Sequence, residues 1–263
     1  MKLSVSNIAW SDSMDLKILS GLNGCGIQGL EIAPTRIFPL TPYSYADQAR
    51  CWADTLQRDR KLCVSSMQSI WFGVQERLFG TEAERRHLID YTKQAIEFAE
   101  AIHCHNLVFG CPRNRELADN ENQMLAIPFF EELGTYAARH NTVIGMEANP
   151  PIYNTNFINT TAEALELIKT INNPGFRLNL DIGTMVYNNE SIDILEGNID
   201  LINHVHISEP WLKPIKKHSL HTRLYDFLKQ EGYDRFVSLE MGKTEDIYDF
   251  QISLTYFVDT FGK

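Results

Sequence analysis

The sequence predicts an α/β protein folded as a single-domain (β/α)8 TIM barrel, and three observations carry that reading. Short β-rich apolar runs alternate eight times with longer amphipathic segments within 263 residues, the unit count and length of such a barrel. Several runs, such as Thr142-Val143-Ile144-Gly145-Met146, lack polar alternation, as parallel strands lying under helices should. After the first run comes Ala9-Trp10-Ser11-Asp12, where a doubly wound open sheet would place a glycine fingerprint.

Taken in order, the expected strand–helix pairs are Lys2–Ala9 with Asp15–Asn23, Gly26–Ile32 with Tyr45–Arg60, Lys61–Gln68 with Glu82–Ala101, and Asn106–Gly110 with Glu121–His140. The second half continues with Thr142–Ala148 and Ala162–Asn172, Phe176–Asp181 and Ile192–Asn198, Leu201–Ile207 and Ser219–Glu231, and Arg235–Glu240 and Glu245–Thr260. Thr81-Glu82-Ala83-Glu84 and Thr160-Thr161-Ala162-Glu163 fit the capping box, in which Thr and Glu satisfy orphan backbone donors reciprocally. Asn172-Asn173-Pro174-Gly175 and Gly232 stand where helices should stop. No linker, charge run or Pro/Ser-rich seam divides the chain, so residues 1–263 are expected to form one domain.

Composition narrows the function. The chain is 44% hydrophobic and 22% charged, which suits a packed globular protein and excludes disorder. With 34 acidic against 24 basic side chains and a net charge of −10, it has the wrong sign for gripping nucleic-acid phosphate. No run approaches the roughly 20 apolar residues that span a bilayer. The start, Met1-Lys2-Leu3-Ser4-Val5, leads into a strand rather than a secretion signal. Five cysteines without a CxxC pair read as reduced thiols. The expectation is a cytoplasmic protein with no membrane or nucleic-acid partner.

The ends of the last four strands carry the chemistry: Met146-Glu147, Leu180-Asp181, His204-Val205-His206 and Leu239-Glu240. In a barrel, the C-terminal strand ends form the floor of the active site, so four ionisable side chains from four strands would converge. Three carboxylates held together repel, and must share protons or bind a cation. One divalent ion held by Glu147, Asp181, His206 and Glu240 resolves the conflict. A mostly hard-oxygen donor set favours Mn²⁺, Mg²⁺ or Co²⁺, with Zn²⁺ also admitted. A single acid at a strand end is more often a helix cap or a surface pair; the conjunction of four carries the argument.

These residues resemble the xylose isomerase-like TIM barrel superfamily, in its sugar-phosphate isomerase/epimerase branch typified by ketose 3-epimerases. The similarity rests on Gly29-Leu30-Glu31-Ile32, Val143-Ile144-Gly145-Met146-Glu147, Leu178-Asn179-Leu180-Asp181, His204-Val205-His206-Ile207-Ser208 and the run Gly232–Glu240. It implies that Glu147, Asp181, His206 and Glu240 bind the metal, and that Glu147 and Glu240 are also the catalytic acid/base pair. The implied reaction is a sugar isomerisation or epimerisation: proton abstraction beside a carbonyl through a metal-stabilised enediolate. The alternatives are a dehydratase or lyase of the same fold, similar to inosose dehydratase, or a non-catalytic sugar-binding barrel. The resemblance also implies a homo-oligomer. Where ketose 3-epimerases carry a substrate-touching histidine after the sixth-strand aspartate, this chain has Thr184. Where they place an arginine after the seventh-strand histidine, it reads Glu209-Pro210-Trp211-Leu212-Lys213-Pro214. The strand-end histidines of an endonuclease IV zinc cluster are missing.

Candidate substrate contacts are Glu31, Gln68, Asn149 and His218, each weighed against a bland role: support of a metal ligand for Glu31, an ordinary loop role for Gln68 and Asn149, a helix start for His218. His204 is expected on the opposite face from His206, in the barrel wall. Arg113 and Arg115 could clamp a phosphate or carboxylate, although a surface ion pair is the commoner fate. The apolar loop Ser69–Val74 is expected to wall the pocket, act as a lid or meet another subunit.

Overall fold

The computed structural model describes residues 1–244 and 246–263. Eight parallel strands close into a barrel in chain order, with the eighth paired to the first. They are β1 (Lys2–Ser6), β2 (Gly29–Ile32), β3 (Cys63–Met67), β4 (Leu107–Phe109), β5 (Ile144–Met146), β6 (Phe176–Asp181), β7 (Ile202–Ile207) and β8 (Phe236–Leu239). Around them run α1 (Asp15–Leu22), α2 (Pro34–Ile37), α3 (Ala46–Arg60), α4 (Glu82–Ala101), α5 (Ala126–Arg139), α6 (Thr161–Ile171), α7 (Ile182–Asn188), α8 (Ser219–Gln230) and α9 (Ile247–Phe261). Both capping boxes form, Thr81 with Glu84 at α4 and Thr160 with Glu163 at α6.

Along the strands, side chains alternate between the helix layer and the barrel interior, and the two faces differ in chemistry. Leu178 and Leu180, Val205 and Ile207, and Val237 and Leu239 are buried outward under the helices. Asn179, Asp181, His204, His206 and Ser238 point inward. The inner ring is therefore polar and hydrogen-bonded rather than packed with Val and Ile. Register places its members side by side: Ser6 opposite Glu31, Glu31 opposite Ser66, Asp181 opposite His206, and His206 opposite Ser238. Register shifts fall at Leu30/Glu31 and Leu178/Asn179, each just before an inward polar residue, where a bulge re-aims the side chain.

Several elements differ from expectation. The helix expected over Ile192–Asn198 is a 3₁₀ turn at Ile192–Leu195, and the helix that follows β6 is instead α7, which leaves the strand without a loop. The Asp181 carboxylate accepts the Thr184 backbone N–H at 2.6 Å and caps α7, so a strand end that reads as a ligand also starts a helix. Gly183 and the β-branched Ile182, Thr184 and Val186 hide that helix from propensity. β1 stops at Ser6 and passes into a 3₁₀ turn, while α5 begins at Ala126 after a turn capped by Asn122. The expected start of the last helix, Glu245, lies outside the described residues; Asp246 caps α9. The apolar Ser69–Val74 loop is pinned by its own side chains: Ile70 and Trp71 are buried, and the indole N–H donates to Thr92 Oγ1 at 2.8 Å. Among the described residues no helix is long and apolar enough to cross a membrane.

Candidate metal centre

Glu147, Asp181, His206 and Glu240 converge at the C-terminal mouth of the barrel, each offering one donor atom within 4.8 Å of the others. Glu147 follows β5, Asp181 ends β6, His206 lies in β7 and Glu240 follows β8. His206 Nδ1 is the hub, 2.9 Å from Glu147 Oε1 and 3.1 Å from Glu240 Oε2. Donors about 2.1 Å from one ion lie roughly 3–4 Å apart, so the spacing fits a single divalent cation. Three carboxylates with one imidazole also match a hard cation in kind. Gly110, after β4, makes the space: a Cβ there would stand 2.9 Å from Glu147 Oε2.

Each of the four side chains is held from behind. Asn179 Nδ2 donates to Glu147 Oε1 and Asn149 Nδ2 to Glu147 Oε2, both at 2.9 Å. Gln68 Nε2 lies 2.9 Å from Glu240 Oε1, 2.9 Å from Glu31 Oε1 and 2.7 Å from Ser6 Oγ. Ser208 Oγ donates to Asp181 Oδ2 and accepts the Gly183 N–H. His206 Nε2 meets Glu31 Oε2 at 2.7 Å.

The charges are strongly coupled. Burial, then repulsion from Glu147 and Glu240, pushes Asp181 up to about 7. Burial likewise raises Glu240 against the pull of His206. His206 is disfavoured as a cation by burial, but Glu240, Glu31 and Glu147 overcome that and raise it well above the ordinary imidazole value. Burial would raise Glu31, yet His206 and His204 hold it down at about 2. His204 is driven to about 3 by burial and stays neutral. Glu31, His204 and His206 form a second cluster of potential ligands, in which His206 Nε2 and Glu31 Oε2 are hydrogen-bonded at 2.7 Å.

The expected substrate contacts fall differently. Glu31 is fully buried beneath His206 and supports it. Gln68 and Asn149 are committed to Glu240 and Glu147 respectively. His218 is not part of the cluster; its Nε2 meets Glu209 Oε1 at 2.8 Å and braces the loop before α8. The expectation for His204 is overturned. Two residues from His206, it shares the inward face, as strand residues at i and i+2 must, and its Nε2 meets Ser238 Oγ at 2.8 Å and Glu31 Oε2 at 3.6 Å. Thr184 is buried and donates to the Ala148 carbonyl at 2.8 Å, so it faces the fold. Arg115 is neither a clamp nor a surface pair. It is fully buried, donates to Asn149 Oδ1 at 2.8 Å and leaves its Nε without a partner; burial lowers it to about 10.

Sequence reasoning missed Asn179 and Ser208. Asn179 was legible: Leu178-Asn179-Leu180-Asp181 alternates, which puts Asn179 on the face of Asp181. Ser208 continues the alternation of His204 and His206 just past the end of β7, and so lies on the same face.

The sequence model of the family described as xylose isomerase-like TIM barrel matches residues 22–255. A comparison with curated proteins finds no match. Among solved structures, the fold is similar to that of YcjR, a 3-keto-D-glucoside 4-epimerase from E. coli in its apo form (18% identity, TM-score 0.78, 98% of this chain and 99% of that one). It is also similar to a D-psicose 3-epimerase in the presence of D-fructose (14% identity, TM-score 0.80, 100% of both chains). A third is the IOLI protein with a bound zinc atom (16% identity, TM-score 0.75, 100% of this chain and 98% of that one). At these identities the likeness is one of fold.

Proposed function

Since the chain belongs to the xylose isomerase-like TIM barrel family, we propose that it is a divalent-metal-dependent sugar epimerase or isomerase, with Glu147, Asp181, His206 and Glu240 as ligands. The observation that carries the reading is the meeting of three carboxylates and one imidazole nitrogen within 4.8 Å at the mouth. Neighbours of the same fold that are epimerases, and one that binds zinc, support it.

A bound divalent ion supplies Lewis-acid stabilisation of the charge that builds on a carbonyl oxygen as the adjacent carbon loses its proton. The protein's own groups do the rest. Glu147 and Glu240 follow β5 and β8, on different strands of the barrel, and both reach His206 Nδ1, so one is assigned to take a proton from one face of a substrate carbon and the other to return it to the opposite face. Asn149 and Asn179 fix both oxygens of Glu147, and Gln68 fixes one of Glu240, which leaves little reorganisation for the proton transfer. Glu31 accepts the Nε2 proton of His206 and so turns Nδ1 toward the carboxylates. Two opposed bases suit inversion at one carbon.

The test is proton exchange. Protein loaded with Mn²⁺ is incubated in D₂O with D-fructose, D-psicose and 3-keto-glucosides, and deuterium uptake beside the carbonyl is read by NMR. Glu147→Gln and Glu240→Gln should each lower exchange by about 100-fold or more. Undiminished exchange in either variant would sink the assignment. A product lighter by one water would move the reaction to dehydration.

A further inference from the structure

The loops after β5 and β7 meet above the metal centre. Tyr153 closes the 3₁₀ turn Pro151–Tyr153, and its hydroxyl lies in the field of Asp181, Glu240 and Glu147; burial first, then these acids, raise it to about 12. That oxygen accepts the Trp211 backbone N–H at 2.8 Å, and the two rings sit 5.9 Å apart, tilted by 59°. Among the described residues no group accepts the tyrosine's own proton, so this neutral donor is free for a guest.

The Trp211 indole is 57% exposed. Its backbone is left-handed, φ 66°, and Leu212 follows at φ 51°, a conformation side-chain-bearing residues avoid. The surroundings enforce it: Leu212 N–H donates to the Glu209 carbonyl at 2.9 Å and Gly242 N–H to the Leu212 carbonyl at 2.8 Å. The Glu209 carboxylate is itself tied to the Lys216 N–H and to His218. A strained and braced loop thus holds a large apolar ring in water beside an acid-lined centre.

We propose that Trp211 and Tyr153 form a sugar-ring subsite, the indole stacking on the C–H face of a pyranose and the tyrosine hydroxyl donating to a sugar oxygen. The subsite rests on the sugar-processing reading above and narrows it. An open-chain ketose has no flat C–H face, whereas a pyranose with equatorial hydroxyls turns its axial hydrogens toward an aromatic plane. The substrate is therefore held as a closed ring that carries its carbonyl on a ring carbon, as a keto-pyranoside does, and the indole selects for it.

The probe is methyl β-D-glucopyranoside, observed by saturation-transfer NMR with Mg²⁺-loaded protein. In the native protein, saturation should concentrate on the hydrogens at C1, C3 and C5, which share one face. Trp211→Ala should lose that pattern and weaken binding by about tenfold, while Trp211→Phe keeps it. Tyr153→Phe should keep the face pattern and weaken binding. Mg²⁺ affinity and melting temperature of the tryptophan variants should stay unchanged. Absent or uniform saturation in the native protein, or a pattern unchanged in Trp211→Ala, would overturn the subsite. So would a change of oligomeric state on that substitution, which would assign the indole to an interface between copies. Loss of the face pattern with deuterium exchange intact strikes the subsite alone. A retained pattern without metal binding or exchange strikes the metal-dependent reading and leaves the platform standing.

Discussion

His206 presents its two ring nitrogens to different worlds: Nε2 to Glu31 at 2.7 Å inside the barrel, and Nδ1 to Glu147 and Glu240 at the mouth. Because Glu31 is held down at about 2, it is an ionised acceptor at neutral pH and keeps a proton on Nε2. Only Nδ1 then remains to bind an ion. Replacing Glu31 with Gln should weaken Mn²⁺ binding by about 10- to 100-fold in titration calorimetry, the usual cost of losing a partner behind a ligand. Unchanged affinity would reduce Glu31 to barrel filling. Arg115 makes the same point from the other side. A buried guanidinium with an unpaired Nε costs stability, and what it reaches is Asn149, the residue holding Glu147.

At the scale of elements, local signals worked where the backbone alone sets the boundary. The Thr160 box was legible because its atoms lie within one turn, and Thr160→Ala should cost about 1 kcal/mol, seen calorimetrically as a fall in melting temperature of roughly 2–3 °C. They failed at α7, where Asp181 serves both as strand end and as helix cap. Gly175 was read as a helix-stop signal, but the structure gives it a second reason. A Cβ at that position would lie 1.9 Å from the Gly134 carbonyl oxygen and 2.8 Å from the Ala138 nitrogen, both in α5. Backbone cannot move aside as a side-chain tip can. Gly175→Ala should therefore destabilise by about 3 kcal/mol or more, against about 1 for the cap. A chemical denaturation pair with equal midpoints for the two variants would refute the ranking.

Over the whole molecule, the polar interior makes stability depend on pH. Asp181, raised from 3.8 to about 7, and His206, raised well above 6.5, both bind protons more tightly folded than unfolded. Their contribution is full below the unfolded values and declines as pH climbs through the folded ones. Among the opposing groups, Glu31 at about 2 completes its gain well below pH 6.5, while His204 at about 3 and His221 at about 4 complete theirs about a unit above 6.5, once the unfolded imidazole has released its proton. Between pH 6.5 and 8 the losses at Asp181 and His206 outweigh the last part of these imidazole gains. EDTA-treated protein should melt at a lower temperature at pH 8 than at pH 6.5. Added Mn²⁺ should raise melting more at pH 8, since an ion must displace the protons on Asp181 and His206. A higher melting point at pH 8 in EDTA would contradict the charge pattern.

The sequence by itself determined the barrel and the four residues that converge at its mouth. Strand and helix periods are local, and chain order in a closed parallel barrel puts every strand's C-terminal end on one face. Only the tertiary structure decided what surrounds those four residues. That Glu31, Gln68 and Asn149 turn to these four, that Arg115 is buried and that Tyr153 meets Trp211 are contacts between strands and loops distant in sequence. Hydrogen bonds of that kind depend on register and loop course, which bulges at Leu30/Glu31 and Leu178/Asn179 and a left-handed turn at Trp211 set, and no local pattern of residues encodes them.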